Sequence, residues 1–109
     1  MMKKIGFLGC GKIGSALLSH LIASEDAHPA FIQDPFFSEA GAPCAVIRQT
    51  DPQLYREADI VVECATAEAL KAEIGNILPY CDLLMFSVTA FVDEYFEQQA
   101  MELCERPGR

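Results

Sequence analysis

Apolar and polar positions along the chain alternate between two periods, one of strands and one of helices. Residues 4–8, "KIGFL", form a short and nearly unbroken apolar run, which predicts a buried strand over Lys4–Leu8. Ile13, Ala16, Leu17 and Leu21 then recur at helical spacing, predicting a helix over Lys12–Ala23 with these four on its buried face. A second short strand is expected over Ala30–Gln33, bracketed by Pro29 and Pro35, with a loop or short turn over Phe36–Pro43. Ala45–Arg48 reads as a third, weaker strand and Asp51–Glu57 as a short helical connection. "DIVVEC", Asp59–Cys64, is the clearest β-branched strand.

Thr66 offers a hydroxyl N-cap for a helix over Ala67–Leu78. Leu70, Ile74, Ile77 and Leu78 give that helix its buried face, Gly75 is its weak point, and Pro79 stops it. Asp82–Val88 is a fifth strand. Val92–Cys104 closes the pattern as an amphipathic helix with Val92, Phe96, Ala100 and Leu103 on one side. Strands that are apolar throughout and alternate with helices imply an α/β fold: a parallel sheet covered by helices on both faces, in three layers.

Composition narrows the functional classes. The chain has 109 residues, 51% of them apolar, which fits one small folded domain. A net charge of −8 argues against nucleic acid as a partner, because a phosphate backbone is held by clustered Lys and Arg. It leaves room for one phosphate-bearing cofactor, which main-chain N–H groups hold without side-chain charge. No apolar run reaches the ~20 residues of a membrane span. Five cysteines, none in a C-x-x-C spacing, suit reduced thiols of a cytoplasmic protein better than disulfides or a metal site.

The chemistry enters with "GFLGCGKIG". Gly9, Gly11 and Gly14 have G-x-G-x-x-G spacing, weak alone but informative where a strand precedes and a helix follows. Gly9 would make the tight turn, Gly11 would let main chain approach a diphosphate, and Gly14 would let helix and strand pack closely. Lys12 and Ile13, at the start of the helix, belong to the same candidate cofactor-binding set. Asp34 closes the second strand where an acid is expected to accept hydrogen bonds from the adenosine ribose. Its charge disfavours a 2′-phosphate, and Pro35 rather than an Arg follows, so NAD is favoured over NADP. The bland alternative is a plain strand–helix turn at the glycines and a plain turn residue at Asp34. The fold class expected is a Rossmann-type doubly wound sheet of about five strands. The chain stops after a helix, at "ERPGR", where such a sheet would continue, so a final strand is expected outside it and the chain reads as the front piece of a longer protein.

Ligands of doubly wound sheets sit beyond the carboxyl ends of the strands. Cys64, Ala65 and Thr66 after the fourth strand, and Ser87, Thr89 and Ala90 after the fifth, are therefore candidates to face the nicotinamide half of the cofactor. Thr66 can also be a helix cap, and the second trio an ordinary loop. Glu63 needs a partner wherever it is buried; cofactor contact and structural hydrogen bonding both stay open. His20 reads as a partly buried residue beside the first helix's apolar face, His28 as a surface-loop residue, and Cys10 as a small side chain of the loop or a redox-sensitive thiol. Neither a catalytic residue nor a metal ligand emerges.

"DIVVECATAEALKAEIGNIL" followed by "LLMFSVTAFVDEYFEQQAMELC" resembles the cofactor domain of L-aspartate dehydrogenases. The matches are Val61, Val62, Glu63, Ala65, Thr66, Glu68, Ala69 and Leu70, then Ser87, Thr89, Ala90, Phe91, Asp93, Glu94 and Phe96. The glycine loop and Asp34 also fit, and the cofactor domain of homoserine dehydrogenases is the nearest competitor. The resemblance implies NAD(P)-dependent oxidation of L-aspartate to iminoaspartate, with Ala90 and its neighbours against the nicotinamide nucleotide. The family's second half, with its catalytic histidine, has no counterpart in this chain, and neither His20 nor His28 matches it. Three readings follow: the NAD-binding domain of an aspartate-dehydrogenase-like oxidoreductase, inactive alone; the cofactor domain of a homoserine or other amino-acid dehydrogenase; or a stand-alone NAD-sensing or interaction module. An open sheet edge would also favour a homodimer.

Overall fold

The computed structural model describes residues 3–23, 26–37, 42–49, 51–87 and 94–104. Five strands, β1 (Lys3–Leu8), β2 (Ala27–Gln33), β3 (Ala45–Ile47), β4 (Ile60–Glu63) and β5 (Asp82–Met85), form one sheet in the order β3-β2-β1-β4-β5. Every pairing is parallel. The helices are α1 (Lys12–Ala23), α2 (Ala67–Ile77) and α3 (Glu94–Cys104), with a 3-10 helix over Pro52–Glu57 leading into β4. The chain builds outward from β1 through β2 and β3, then returns to the other side of β1 for β4 and β5. The switch point therefore lies between β1 and β4, where a crevice opens at the strands' carboxyl ends.

The two faces of the sheet have separate cores. Ile5, Phe7, Ile32 and Val62 pack with Leu18 of α1 and with Cys10. On the opposite face Leu8, Phe31 and Val61 pack with Tyr55, Ala58, Ile77 and Cys81. A third cluster joins α2 to α3 through Leu70, Ile74, Leu78, Ala100 and Leu103. The expected apolar face of α2 is thus the buried one, and Thr66 caps that helix by accepting a hydrogen bond from Ala69 N at 3.1 Å. Val92 and the side chain of Phe96, expected on the inner side of α3, lie outside the described residues.

Three expectations shift. The buried side of α1 is Gly14, Leu17, Leu18 and Leu21, whereas Ile13 and Ala16 face outward, as does His20. The helix is rotated because Gly14 is pressed to the loop and strand beneath it. A Cβ there would stand 3.2 Å from Cys10 Sγ and 3.3 Å from Cys64 Cβ. β2 begins at Ala27, so His28 and Pro29 belong to a strand and His28 is half-buried rather than in a surface loop. Proline is tolerated there because β3 flanks only Phe31–Gln33 and the β1 register slips between Ile5 and Gly6, beside it. Finally, β5 ends at Met85; Val88 falls outside the described residues.

Candidate functional site

Gly9 ends β1 in the left-handed region, φ 78°, and a Cβ would lie 2.6 Å from that of Ala65. Only glycine meets both demands. Its N–H donates to Gln33 O at 2.8 Å, fastening the loop to β2. Cys10 N then donates to Asp34 Oδ2 at 2.8 Å, while Asp34 Oδ1 accepts from Phe36 N at 2.8 Å. One carboxylate therefore holds both the glycine loop and the turn after β2, and a carboxylate has lone pairs left for further donors. At Gly11 the position a Cβ would take is clear of protein, with Cys64 O, at 4.0 Å, the nearest atom.

Helix α1 starts at Lys12, and its first-turn N–H groups have no partner within the helix. No acidic residue stands in that turn, so the positive end of the helix dipole is not offset locally. Two connected grooves open there. One, of about 340 Å³, runs from Gly9, Gly11, Ala65, Thr66 and Ala69 to Asp34, Pro35, Phe36, Arg48 and Gln49. The other, of about 280 Å³, lies among Gly11, Lys12, Ile13, Cys64, Ala65, Phe86 and Ser87. They share Gly11, Cys64 and Ala65, so together they form one continuous cleft across the switch point.

Of the residues singled out in the sequence, Gly9, Gly11, Asp34, Cys64, Ala65 and Thr66 line the first groove; Lys12, Ile13 and Ser87 join at the second. Gly14 lies beneath, holding α1 to β4. Thr89 and Ala90 are outside the described residues. Glu63 is fully buried and its carboxylate is a clamp. Oε1 accepts from Phe86 N and Ser87 N at 3.2 and 2.8 Å; Oε2 accepts from Ala65 N and Ser87 Oγ at 2.8 and 2.6 Å. It thereby ties the carboxyl ends of β4 and β5 together and fixes the floor of the second groove.

Burial is the main cause that raises the thiol pKa of Cys10, and Asp34 adds to it. Burial likewise pushes Cys64 up to about 11, aided by Glu63 and Cys10. Both thiols stay protonated near neutral pH, so neither presents a thiolate to an anionic ligand. Among the described residues no group of His, Cys, Asp and Glu is arranged to hold a metal ion. No described helix is long and apolar enough to cross a membrane. Phe36, Arg48 and Gln49 carry no signal in the linear pattern; the strand order places them here, since β3 beside β2 brings Arg48 to the turn after Asp34.

This cleft and sheet define the class: a Rossmann-type dinucleotide-binding domain. The chain belongs to the family described as the homoserine dehydrogenase NAD binding domain, which matches residues 9–109. Its cofactor is the nicotinamide dinucleotide for which that family is named. It is similar to the L-aspartate dehydrogenase of Archaeoglobus fulgidus, 31% identical over 106 residues, covering 96% of this chain and 43% of the relative. Its fold is that of the aspartate dehydrogenase of Thermotoga maritima (TM-score 0.72, 23% identity, 96% of this chain and 42% of that one). A Bordetella pertussis dehydrogenase, solved with NADH and UDP-GlcNAcA, shares it as well (TM-score 0.79, 13% identity, 96% and 34%). The chain spans about two fifths of the length of the curated aspartate dehydrogenases it matches.

Proposed function

We propose that the cleft binds NAD(H) for an oxidoreductase that oxidises L-aspartate, with the diphosphate over Gly11 and the N-terminus of α1. In this arrangement the ribose of the adenosine half meets Asp34, whose position the Cys10 and Phe36 amides fix. Cys64, Ala65, Thr66 and Ser87 border the nicotinamide half. The cofactor, when bound, supplies the hydride acceptor. The chain's own residues bind and orient it. Support for aspartate as substrate comes from the similarity to L-aspartate dehydrogenases along nearly the whole chain. A homoserine-oxidising parent is the second reading, favoured by the family that matches residues 9–109.

Substrate must be held against the nicotinamide, and a proton acceptor placed beside it. Neither histidine serves: His20 is on the outward side of α1 and His28 is at the amino-terminal end of β2, away from the cleft. We therefore expect cofactor binding without turnover from this chain alone.

The observation that carries the proposal is the open position at Gly11. A Cβ there meets no protein atom closer than 4.0 Å, so a side chain would grow into the space a diphosphate needs rather than into the fold. Isothermal titration should show NAD⁺ binding to the wild-type chain and a loss of at least about tenfold in Gly11→Val, with circular dichroism unchanged. Undiminished binding by that variant, or no NAD⁺ binding by folded wild type, overturns the proposal. In a full-length parent, aspartate-dependent rather than homoserine-dependent NADH formation decides the substrate.

A further inference from the structure

A negative charge is buried beneath the second groove. Glu63, at the end of β4, is fully buried, and its carboxylate has four donors: Ala65 N, Phe86 N, Ser87 N and Ser87 Oγ. Three of them are main-chain N–H groups, which only donate, so the acid is held as the acceptor-only carboxylate. None of the four carries a charge, so dipoles solvate the carboxylate and no cation among these partners cancels it. Four donors also fill the roughly four lone-pair sites of a carboxylate. Glu63 therefore offers no free lone pair to a ligand's donor or to a substrate proton; what reaches the groove is its field.

That field acts from one residue away. Ala65 N and Ser87 N, each at 2.8 Å from the carboxylate, belong to residues that line the groove. Buried charges are screened much less than exposed ones. Among the described residues that line the groove only Lys12 is charged, and it is exposed, where water and salt weaken its effect. The two forms of a nicotinamide ring differ by one unit of charge. The oxidised ring is positive, and the reduced ring, having accepted a hydride, is neutral. A buried anion attracts the first and not the second. We propose that Glu63 is a specificity-determining residue for the redox form of the cofactor, so that this cleft binds NAD⁺ more tightly than NADH. The inference rests on the nicotinamide half lying beside Ala65 and Ser87, and it gives the clamp a role beyond joining two strand ends. Loading of NAD⁺ and release of spent NADH are both favoured, as a site that oxidises its substrate needs. A unit charge acting through about 10 Å at an effective dielectric constant of about 20 changes the ratio of the two affinities about 5- to 20-fold. Each tenfold lowers the midpoint potential of the bound two-electron couple by about 30 mV.

Titration calorimetry of NAD⁺, NADH and ADP-ribose into the wild-type chain, Glu63→Gln and Ser87→Ala separates charge from shape. Wild type is expected to bind NAD⁺ about 5- to 20-fold more tightly than NADH. Glu63→Gln removes the charge at nearly constant volume and should bring the two affinities to within about twofold of each other. ADP-ribose, which lacks the ring, should bind wild type and Glu63→Gln within about threefold of each other. Ser87→Ala removes one bond of the clamp and leaves the charge, so it should keep the wild-type ratio of NAD⁺ to NADH affinity. An unchanged ratio in folded Glu63→Gln overturns the inference. So does a ratio lost equally in Ser87→Ala, or an ADP-ribose loss in Glu63→Gln as large as the NAD⁺ loss, since either makes the effect one of shape. Equal affinities in wild type, or a preference for NADH, overturn it as well and leave the NAD⁺ site standing; that comparison decides alone if Glu63→Gln does not fold. Failure of folded wild type to bind NAD⁺ or NADH removes the site itself and this inference with it.

Discussion

Tyr55 is completely buried, yet it ends in a hydroxyl that needs partners on both sides. It donates to Glu73 Oε1 at 2.6 Å and accepts from Gln33 Nε2 at 3.0 Å, and Gln33 Oε1 accepts from Asp51 N at 2.6 Å. Because Gln33 also lines the first groove, the chain of bonds runs from the cleft floor through the core to α2. Burial, then the bond donated to Glu73, raises the Tyr55 pKa well above its ordinary 10.0, against a smaller lowering by Gln33. A group whose folded pKa is raised contributes its full stability below the unfolded value and loses it as pH climbs toward the folded one. Tyr55→Phe leaves Glu73 and Gln33 each short of a partner, and should cost about 1–3 kcal/mol in urea unfolding at pH 7. Above pH ~10 the wild-type advantage over Tyr55→Phe should shrink, since the unfolded chain ionises the phenol first. An advantage that stays constant from neutral to strongly alkaline pH would count against this account of the network.

At the level of elements, α2 is the best test of how local chemistry sets a boundary. Thr66 is extended, φ −133° and ψ 164°, and its hydroxyl accepts from Ala69 N. Thr66→Ala should destabilise the domain by about 1 kcal/mol, and Thr66→Ser by much less, both read from urea midpoints. The cap and the inner face of α2 were legible because hydroxyl, apolar period and proline stop all agree there. The phase of α1 was not, because Gly14 carries no hydropathy signal while its lack of a side chain is what turns that face inward. The start of β2 was hidden by Pro29, which no strand pattern admits until the short β3 and the β1 register slip are known. In the cleft, the glycines, Asp34 and the residues after β4 follow from strand–turn–helix order. Glu63 stood out as a buried acid, but its four donors come from two strand ends and are visible only in three dimensions. Arg48 reaches the carbonyl of Pro35 because β3 lies beside β2, a relation no linear spacing encodes.

For the whole molecule the open question is the far edge of the sheet. Among the described residues β5 is paired on one side only, to β4. Its inner side chains, Leu83 and Met85, pack toward α2 and α3, but on the opposite face α1 lies over β1 and β2 and leaves Leu84 about half exposed, at 49%, with Phe86 at 42%. An unpaired, partly apolar strand edge is a template for a second copy of itself. Opposing this, each copy carries a net charge of −8, so approach is resisted by a repulsion that salt screens. Association through the edge should therefore rise with both protein concentration and ionic strength, as light scattering can follow. Leu84→Lys distinguishes edge pairing from charge effects, because it makes the chain less negative and repulsion alone would predict more association. Pairing through β5 predicts less, since a lysine blocks the edge. A monomer at every concentration and salt would rule out association through β5, and greater association in Leu84→Lys would place the assembly elsewhere on the surface.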